Sequence, residues 1–310
     1  MEGSSTILIR DKVDPDMPDI DMSAGTITIG DNLVVDRVGF GAMQLTGNQV
    51  WGEYPDRDGA VTLLRAAVDA GVTFIDTADA YGPHTNEILI RDALYPYPDN
   101  LVIATKGGFV RGGFDYSTLD SVGNPNYLRQ CAHTSARRLN VDHIDLYYLH
   151  SGRATDAPFE DQVGALAGLR EQGLIRNIGL SNVTVEQFRA ARSIVEIAAV
   201  TAHYTVGVRT GADLLHAAAE AGAVFSPWHP ITLTDGHNGG EVLAVIEPIA
   251  ARHHATPHQI ALAWQLQHSP ATLPIPGTSS ITHLKENLAA QAVPLTAEEV
   301  AAITALSTAD

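Results

Sequence analysis

The chain has 310 residues, 45% of them hydrophobic and 18% charged, and 36 acidic against 19 basic side chains leave a formal charge of −17. A chain of this length and composition buries a globular core unaided, and its one cysteine, Cys131, excludes an internal disulfide and a cysteine-based zinc site. The acidic balance without a basic patch argues against nucleic acid. No apolar run nears the roughly 20 residues of a membrane span, and no signal-peptide pattern opens the chain, so a cytoplasmic protein handling small molecules is expected.

Residues 1–24 read as a mobile appendage, because Asp11, Asp14, Asp16, Asp19 and Asp21, broken by Pro15 and Pro18, cannot supply a buried face. Thr6–Arg10 is its one stretch with strand character. Residues 25–310 read as a single domain. It opens with Thr26–Val35, whose alternating apolar positions flank Gly30-Asp31-Asn32 and predict a β-hairpin.

Eight short β-rich runs follow: Val38–Gly41, Phe74–Asp76, Val102–Thr105, Ile144–Leu149, Ile175–Leu180, Ala199–Ala202, Val224–Ser226 and Thr272–Ile275. Helical patterns alternate with them. Asp58 opens one that Gly71 stops, Asn124-Pro125 starts another over Tyr127–Leu139, and Thr184 starts a third. Gly173 and Gly222 follow two more at the position where a helix ends. The pattern predicts an α/β fold, a (β/α)8 TIM barrel with an N-terminal β-hairpin cap. A doubly wound nucleotide-binding sheet is the competitor, but Gly39-Phe-Gly41-Ala-Met43-Gln44 lacks the third glycine of its fingerprint.

In such a barrel the chemistry sits at the C-terminal ends of the strands. There the chain places Asp76, then Tyr81 a few residues on, Lys106 and His150. A phenol is a poor acid at neutral pH, and an adjacent ammonium lowers its pKa. A carboxylate holds the lysine, and a neutral imidazole orients a carbonyl. The four together suit protonation of a carbonyl oxygen as hydride reaches its carbon. Each alone is more often a loop cap or turn residue; their convergence on three successive strands makes that account the weaker one.

Phe74-Ile-Asp76-Thr-Ala-Asp-Ala-Tyr81-Gly82 resembles the aldo-keto reductase signature. Ala-Thr-Lys106, Leu-His150, Ile178-Gly-Leu-Ser181-Asn182 and Ile275-Pro-Gly277-Thr278-Ser279-Ser280 follow in that family's order, so the resemblance spans about residues 26–306. It implies an NADPH-dependent carbonyl reductase, with NADH as the alternative cofactor. Tyr81 matches the general acid, Lys106 the group that lowers its pKa, Asp76 the lysine's partner and His150 the substrate-orienting residue.

The resemblance also implies a cofactor site. Gly41, Met43 and Asp76 line it, and Ser181 and Asn182 bind the carboxamide. Phe225 stacks on the nicotinamide, with Ser226 and Pro227 beside it. Ile275 lines the same site, Gly277, Thr278 and Ser279 meet a phosphate, and Glu286 and Asn287 meet the adenine. Where relatives carry Arg or Lys for the 2′-phosphate, this chain offers Ser279, Ser280 and His283. Where the family has Gln on the sixth strand, it has the shorter Thr201. The chain most resembles a bacterial branch of pyridoxal and aldehyde reductases, which makes a small carbonyl compound, aromatic in one version, the expected substrate.

Pocket walls are expected from Gln44, Trp51, His84, Trp228 and His229, together with Tyr81 and His150. No long C-terminal loop closes over them, which predicts an open pocket. His254 and His258 lie four apart with Pro257 between and no third ligand nearby, so no metal site is expected. Two other classes stay open: a Schiff-base lyase using Lys106, and a non-catalytic NADPH-binding regulatory subunit. The sequence leaves the oligomeric state open.

Overall fold

The computed structural model describes residues 24–234 and 239–306. The expectations for the acidic tail, Thr6–Arg10 included, therefore fall outside the described residues except at Ala24. Thr26–Ile29 (β1) and Leu33–Asp36 (β2) pair antiparallel around Gly30-Asp31-Asn32 as the alternation predicts. Ile29 and Val35 are buried among Phe74, Ala104, Leu146 and Ala199, so the hairpin plugs one end of the barrel.

The barrel begins with Phe40–Gly41 (β3), Arg57–Asp69 (α1), Phe74–Asp76 (β4), Thr85–Leu94 (α2) and Val102–Gly107 (β5). A second hairpin, Phe109–Arg111 (β6) and Leu119–Ser121 (β7), interrupts the alternation without having been foreseen. The order resumes with Pro125–Leu139 (α3), Ile144–Leu149 (β8), Phe159–Glu171 (α4), Ile175–Ser181 (β9), Val185–Arg192 (α5), Ala199–His203 (β10), Ala212–Glu220 (α6) and Val224–Trp228 (β11). Gly239–His253 (α7), Pro257–His268 (α8), Ile281–Ala289 (α9) and Ala297–Thr304 (α10) complete it. None of these described helices is long and apolar enough to cross a membrane.

Seven parallel strands run in the order β3-β4-β5-β8-β9-β10-β11. The eighth run closes the ring by backbone bonds on both sides. Leu273 N–H donates to Phe225 O (2.9 Å) and Phe225 N–H to Ala271 O (2.8 Å), while Gly39 and Gly41 donate to Pro274 O and Pro276 O at 3.0 and 3.3 Å. Pro274 and Pro276 have no N–H to return, so Gly39 and Gly41 supply the donors at these two positions.

Two helix starts follow the predicted caps, whereas α1 starts at Arg57 and is capped by Asp56, whose side chain accepts from Gly59 N–H, and not by Asp58. The Asn124 side chain accepts from Asn126 and Tyr127 N–H, and Thr184 forms a reciprocal capping box with Gln187. Along β11 the pleat alternates: Val224 joins the barrel interior with Ala199 and Leu146, and Phe225 points the other way into the layer of helices with Tyr204 and Leu214.

Candidate active site

Asp76 ends β4, Lys106 lies near the end of β5 and His150 follows β8, so pairing of these strands brings the three together. The Lys106 ammonium donates to Asp76 Oδ1 and, at 2.9 Å, to Thr77 O, and both members of this ion pair are buried. Burial pushes the Asp76 carboxyl upward and the neighbouring ammonium opposes that shift. Lys106 Nζ stands 5.4 Å from the centre of the Tyr81 ring. The His150 ring meets that of Tyr81 edge-on, with centres 6.1 Å apart. Asp76, Tyr81, Lys106 and His150 thus share one rim.

Burial, then the Lys106 charge, holds His150 well below the usual histidine range, so its imidazole is neutral at physiological pH. The expected lowering of the Tyr81 pKa is reversed. Burial of the phenol, followed by Asp76, Tyr116 and Asp79, pushes it well above 10.0. Burial is the leading cause and the Asp76 charge adds to it, so the protein holds Tyr81 protonated in this state.

The loop carrying Tyr81 is fastened on two sides. Gly82, at φ 79°, donates to Val50 O and accepts from Gly52 N–H, both at 3.1 Å. A Cβ at Gly82 would lie 2.9 Å from Gly52 O, so glycine fits this crossing and a side chain does not. Gln49 and Val50 themselves have φ near 58° and 56°. For a β-branched residue such as Val50 that conformation costs on the order of 1–3 kcal/mol, and surrounding contacts must hold it. Buried Asn86 braces the same region, donating to Ala42 O and Leu45 O (3.0 Å each) and accepting from Thr77 Oγ1 at 2.7 Å.

Behind Tyr81, outside the barrel wall, lies a second charged group. Glu87 is fully buried and accepts from Arg138 Nε (2.5 Å) and Thr105 Oγ1 (2.7 Å). Asp79 is buried beside it and beside Cys131, and burial with the Glu87 charge raises its carboxyl to about 7. Asp79 Oδ1 has no hydrogen-bond partner among the described residues.

The residues present suit a dinucleotide. Ser181, Thr201 and Ser226 are neighbours in register on β9, β10 and β11. Thr201 Oγ1 is buried without a partner among the described residues, and the Ser226 hydroxyl meets the Tyr148 phenol but makes no well-formed hydrogen bond. Unsatisfied hydroxyls of this kind are what an amide ligand pairs with. Asn182, at φ 52°, donates to Ser181 Oγ (3.1 Å) and accepts from Trp228 Nε1 (3.2 Å).

At the start of α9, Thr278 Oγ1 accepts from Ser280 N–H (3.0 Å), and Ser279 and His283 are exposed. Gly41 crosses the eighth run so closely that a Cβ there would lie 2.6 Å from Ile275 O. Met43 and Gln44 follow it, and the Gln44 side chain lies against Gly277. Asn287 is buried and Glu286 half-buried further along the helix. Pro227 is buried on β11.

One expected residue lies elsewhere. Phe225, assigned to the nicotinamide face, is wholly enclosed in the helix layer, its ring perpendicular to that of Tyr204 at 5.8 Å. Its place in the pleat aims it outward. Trp228, three residues on, stacks on His203 at 4.1 Å, and His229 meets Trp228 edge-on. His84 starts α2, and its charged neighbours are Arg138 and Glu87. Sequence reasoning missed Asn86, Asp79 with Glu87 and Arg138, and the β6–β7 hairpin, for which the Gly112-Gly113 turn was the available signal.

The model of the aldo/keto reductase family matches residues 37–308. Pyridoxine 4-dehydrogenase of Escherichia coli is 40% identical over 294 residues, covering 92% of this chain and 99% of that protein. An uncharacterized oxidoreductase of Schizosaccharomyces pombe is 40% identical over 275 residues, covering 89% and 87%. Among solved structures, an aldo-keto reductase from Klebsiella pneumoniae in complex with NADPH superposes with a TM-score of 0.72 at 27% identity, covering 91% of this chain and 94% of that one. The barrel and its rim define an NAD(P)H-dependent oxidoreductase. The chain belongs to the aldo/keto reductase family, whose general chemistry is carbonyl reduction with NADP(H).

Proposed function

We propose that this protein, working as one barrel domain over residues 25–310, reduces an aldehyde or ketone to the alcohol with NADPH and uses Tyr81 as the general acid. The observation that carries the reading is the convergence of a protonated phenol, a neutral imidazole and a buried Lys106–Asp76 pair on one rim. NADPH, when bound, supplies the hydride. Ser181, Asn182 and Thr201 bind the carboxamide end, with Ser226 beside them, and Gly277, Thr278, Ser279 and His283 receive the phosphates.

His150 donates a hydrogen bond to the substrate oxygen and fixes its direction. Tyr81 passes its proton to that oxygen as negative charge grows there, and the Lys106 ammonium beside the ring stabilises the phenolate left behind. Asp76 keeps Lys106 in place. Two of the ammonium protons are already committed to Asp76 and Thr77, which speaks against Lys106 as a Schiff-base nucleophile.

The 40% identity to pyridoxine 4-dehydrogenase makes pyridoxal the first substrate to test. The experiment follows NADPH absorbance with pyridoxal, 4-nitrobenzaldehyde and an aliphatic ketone. Tyr81→Phe is expected to bind NADPH normally and to lose at least ~10²-fold in turnover, the scale of a general acid. Undiminished turnover in that variant refutes the assignment. Tight NADPH binding by the wild type without turnover of any carbonyl supports a regulatory subunit instead.

A further inference from the structure

We infer that the β6–β7 hairpin is the aromatic wall of the substrate pocket and that Tyr116 on it selects flat aromatic carbonyl compounds over short aliphatic ones. The inference rests on the carbonyl reduction proposed above and names the substrate class of that site.

The hairpin rises directly from the strand that bears Lys106. β5 ends at Gly107, Gly108 turns at φ 127°, and β6 starts at Phe109; on the return, Val122 N–H donates to Gly108 O at 2.8 Å. Phe109 therefore stands at the site, its ring centre 4.3 Å from that of His150. Tyr116 follows the tip and is near enough to Tyr81 to be among the groups acting on its phenol.

Arg111 joins this hairpin to the loop after β3. Its guanidinium donates to Gln49 O (3.1 Å), Val50 O (3.3 Å) and Phe114 O (2.7 Å). The same group stands 5.2 Å from the Trp51 ring centre and 5.4 Å from that of Tyr116. Tyr116 N–H donates in turn to Gln49 Oε1 at 3.2 Å. Val50 and Gly52 are bonded to Gly82, next to Tyr81, so a chain of hydrogen bonds ties hairpin, loop and proton donor together.

Large apolar side chains are left open here. Trp51, Phe114 and Tyr116 are 37–55% exposed, three of the eight exposed large hydrophobic residues among those described. Such a cluster beside a polar site marks a ligand surface. Phe109, Trp51 and Tyr116 offer ring faces and edges, which a planar aromatic substrate meets by stacking and a short aliphatic chain does not. Arg111 is committed to carbonyls and to the two rings, so it positions Tyr116 and Trp51 instead of reaching substrate.

The test compares kcat/KM for 4-nitrobenzaldehyde and butanal in wild type, Tyr116→Ala and Tyr116→Phe. Tyr116→Ala is expected to lower the aromatic-to-aliphatic ratio about tenfold, mostly through KM for the aromatic aldehyde, and Tyr116→Phe to keep it within about twofold. An unchanged ratio in Tyr116→Ala overturns the inference, as does a Tyr116→Phe variant that loses as much as the alanine one. Titration with 4-nitrobenzyl alcohol, read by tryptophan fluorescence in the presence of NADP+, separates this reading from the reaction. If no aldehyde is turned over, the proposed function fails. Alcohol binding weakened about tenfold in Tyr116→Ala still upholds the wall, and equal binding overturns it.

Discussion

Asp79→Asn isolates the cost of a buried acid two residues from the proton donor. Asp79 and Glu87 are both buried and share one guanidinium, Arg138, which is bonded to Glu87. Asp79 is left as the uncompensated member, its carboxyl raised from 3.8 to about 7. The native state therefore holds a proton that the unfolded chain releases near pH 3.8. A raised carboxyl contributes its full stability below the unfolded pKa and loses it as pH climbs through the folded one. About three units at 1.36 kcal/mol each amount to on the order of 4 kcal/mol lost between about pH 4 and about pH 8. Asparagine copies the neutral acid and cannot ionise, so the variant escapes this decline. Urea denaturation of both proteins at about pH 5 and about pH 8 reads the difference, and the variant's advantage should widen by on the order of 2–3 kcal/mol across that interval. A gap that does not change with pH would refute the reasoning.

Two further substitutions follow from the buried ion pairs. Lys106→Met leaves Asp76 buried and unpaired, so stability to urea should fall on the order of 3–5 kcal/mol and turnover by at least ~10²-fold. Adding Asp76→Asn should restore most of the stability and none of the turnover. Arg138→Ala strands the fully buried Glu87, with an expected loss on the order of 3–5 kcal/mol by urea denaturation, and Glu87→Gln in the same chain should recover part of it. A loss under about 1 kcal/mol, the surface-pair scale, would show that Glu87 finds another partner.

Much of the barrel was legible because its determinants are local. Short β-rich runs bounded by turns mark the strands, and Asn124, Thr184, Gly173 and Gly222 mark helix ends through cap chemistry that reads directly from residue type. The rim was legible for a different reason: in parallel β/α alternation every strand end faces one side, so Asp76, Lys106 and His150 had to meet. What sequence position does not carry is the charge balance around them. The effect of Lys106 on Tyr81 looks like a simple lowering until Asp76 is seen bonded to the ammonium and the phenol seen desolvated.

The misplaced Phe225 and the missed hairpin fail for opposite reasons. A motif match places Phe225 on the nicotinamide, whereas the pleat places it outward: Val224 faces inward with the barrel core, so Phe225 faces outward and Ser226 inward. The two-residue period overrules motif matching wherever they conflict, because a strand cannot turn one side chain over without moving its neighbours. The hairpin, by contrast, leaves little trace. Its clamp is Arg111 acting on main-chain carbonyls of Gln49, Val50 and Phe114, and any residue supplies a carbonyl. Only the donor has an identity in the sequence, and an arginine following Phe-Val reads there as one more solvated charge. Arg111 becomes informative once the strained turn at Gln49 and Val50 is seen to deliver two carbonyls to one guanidinium, and that same turn ties the wall to Gly82 and so to Tyr81.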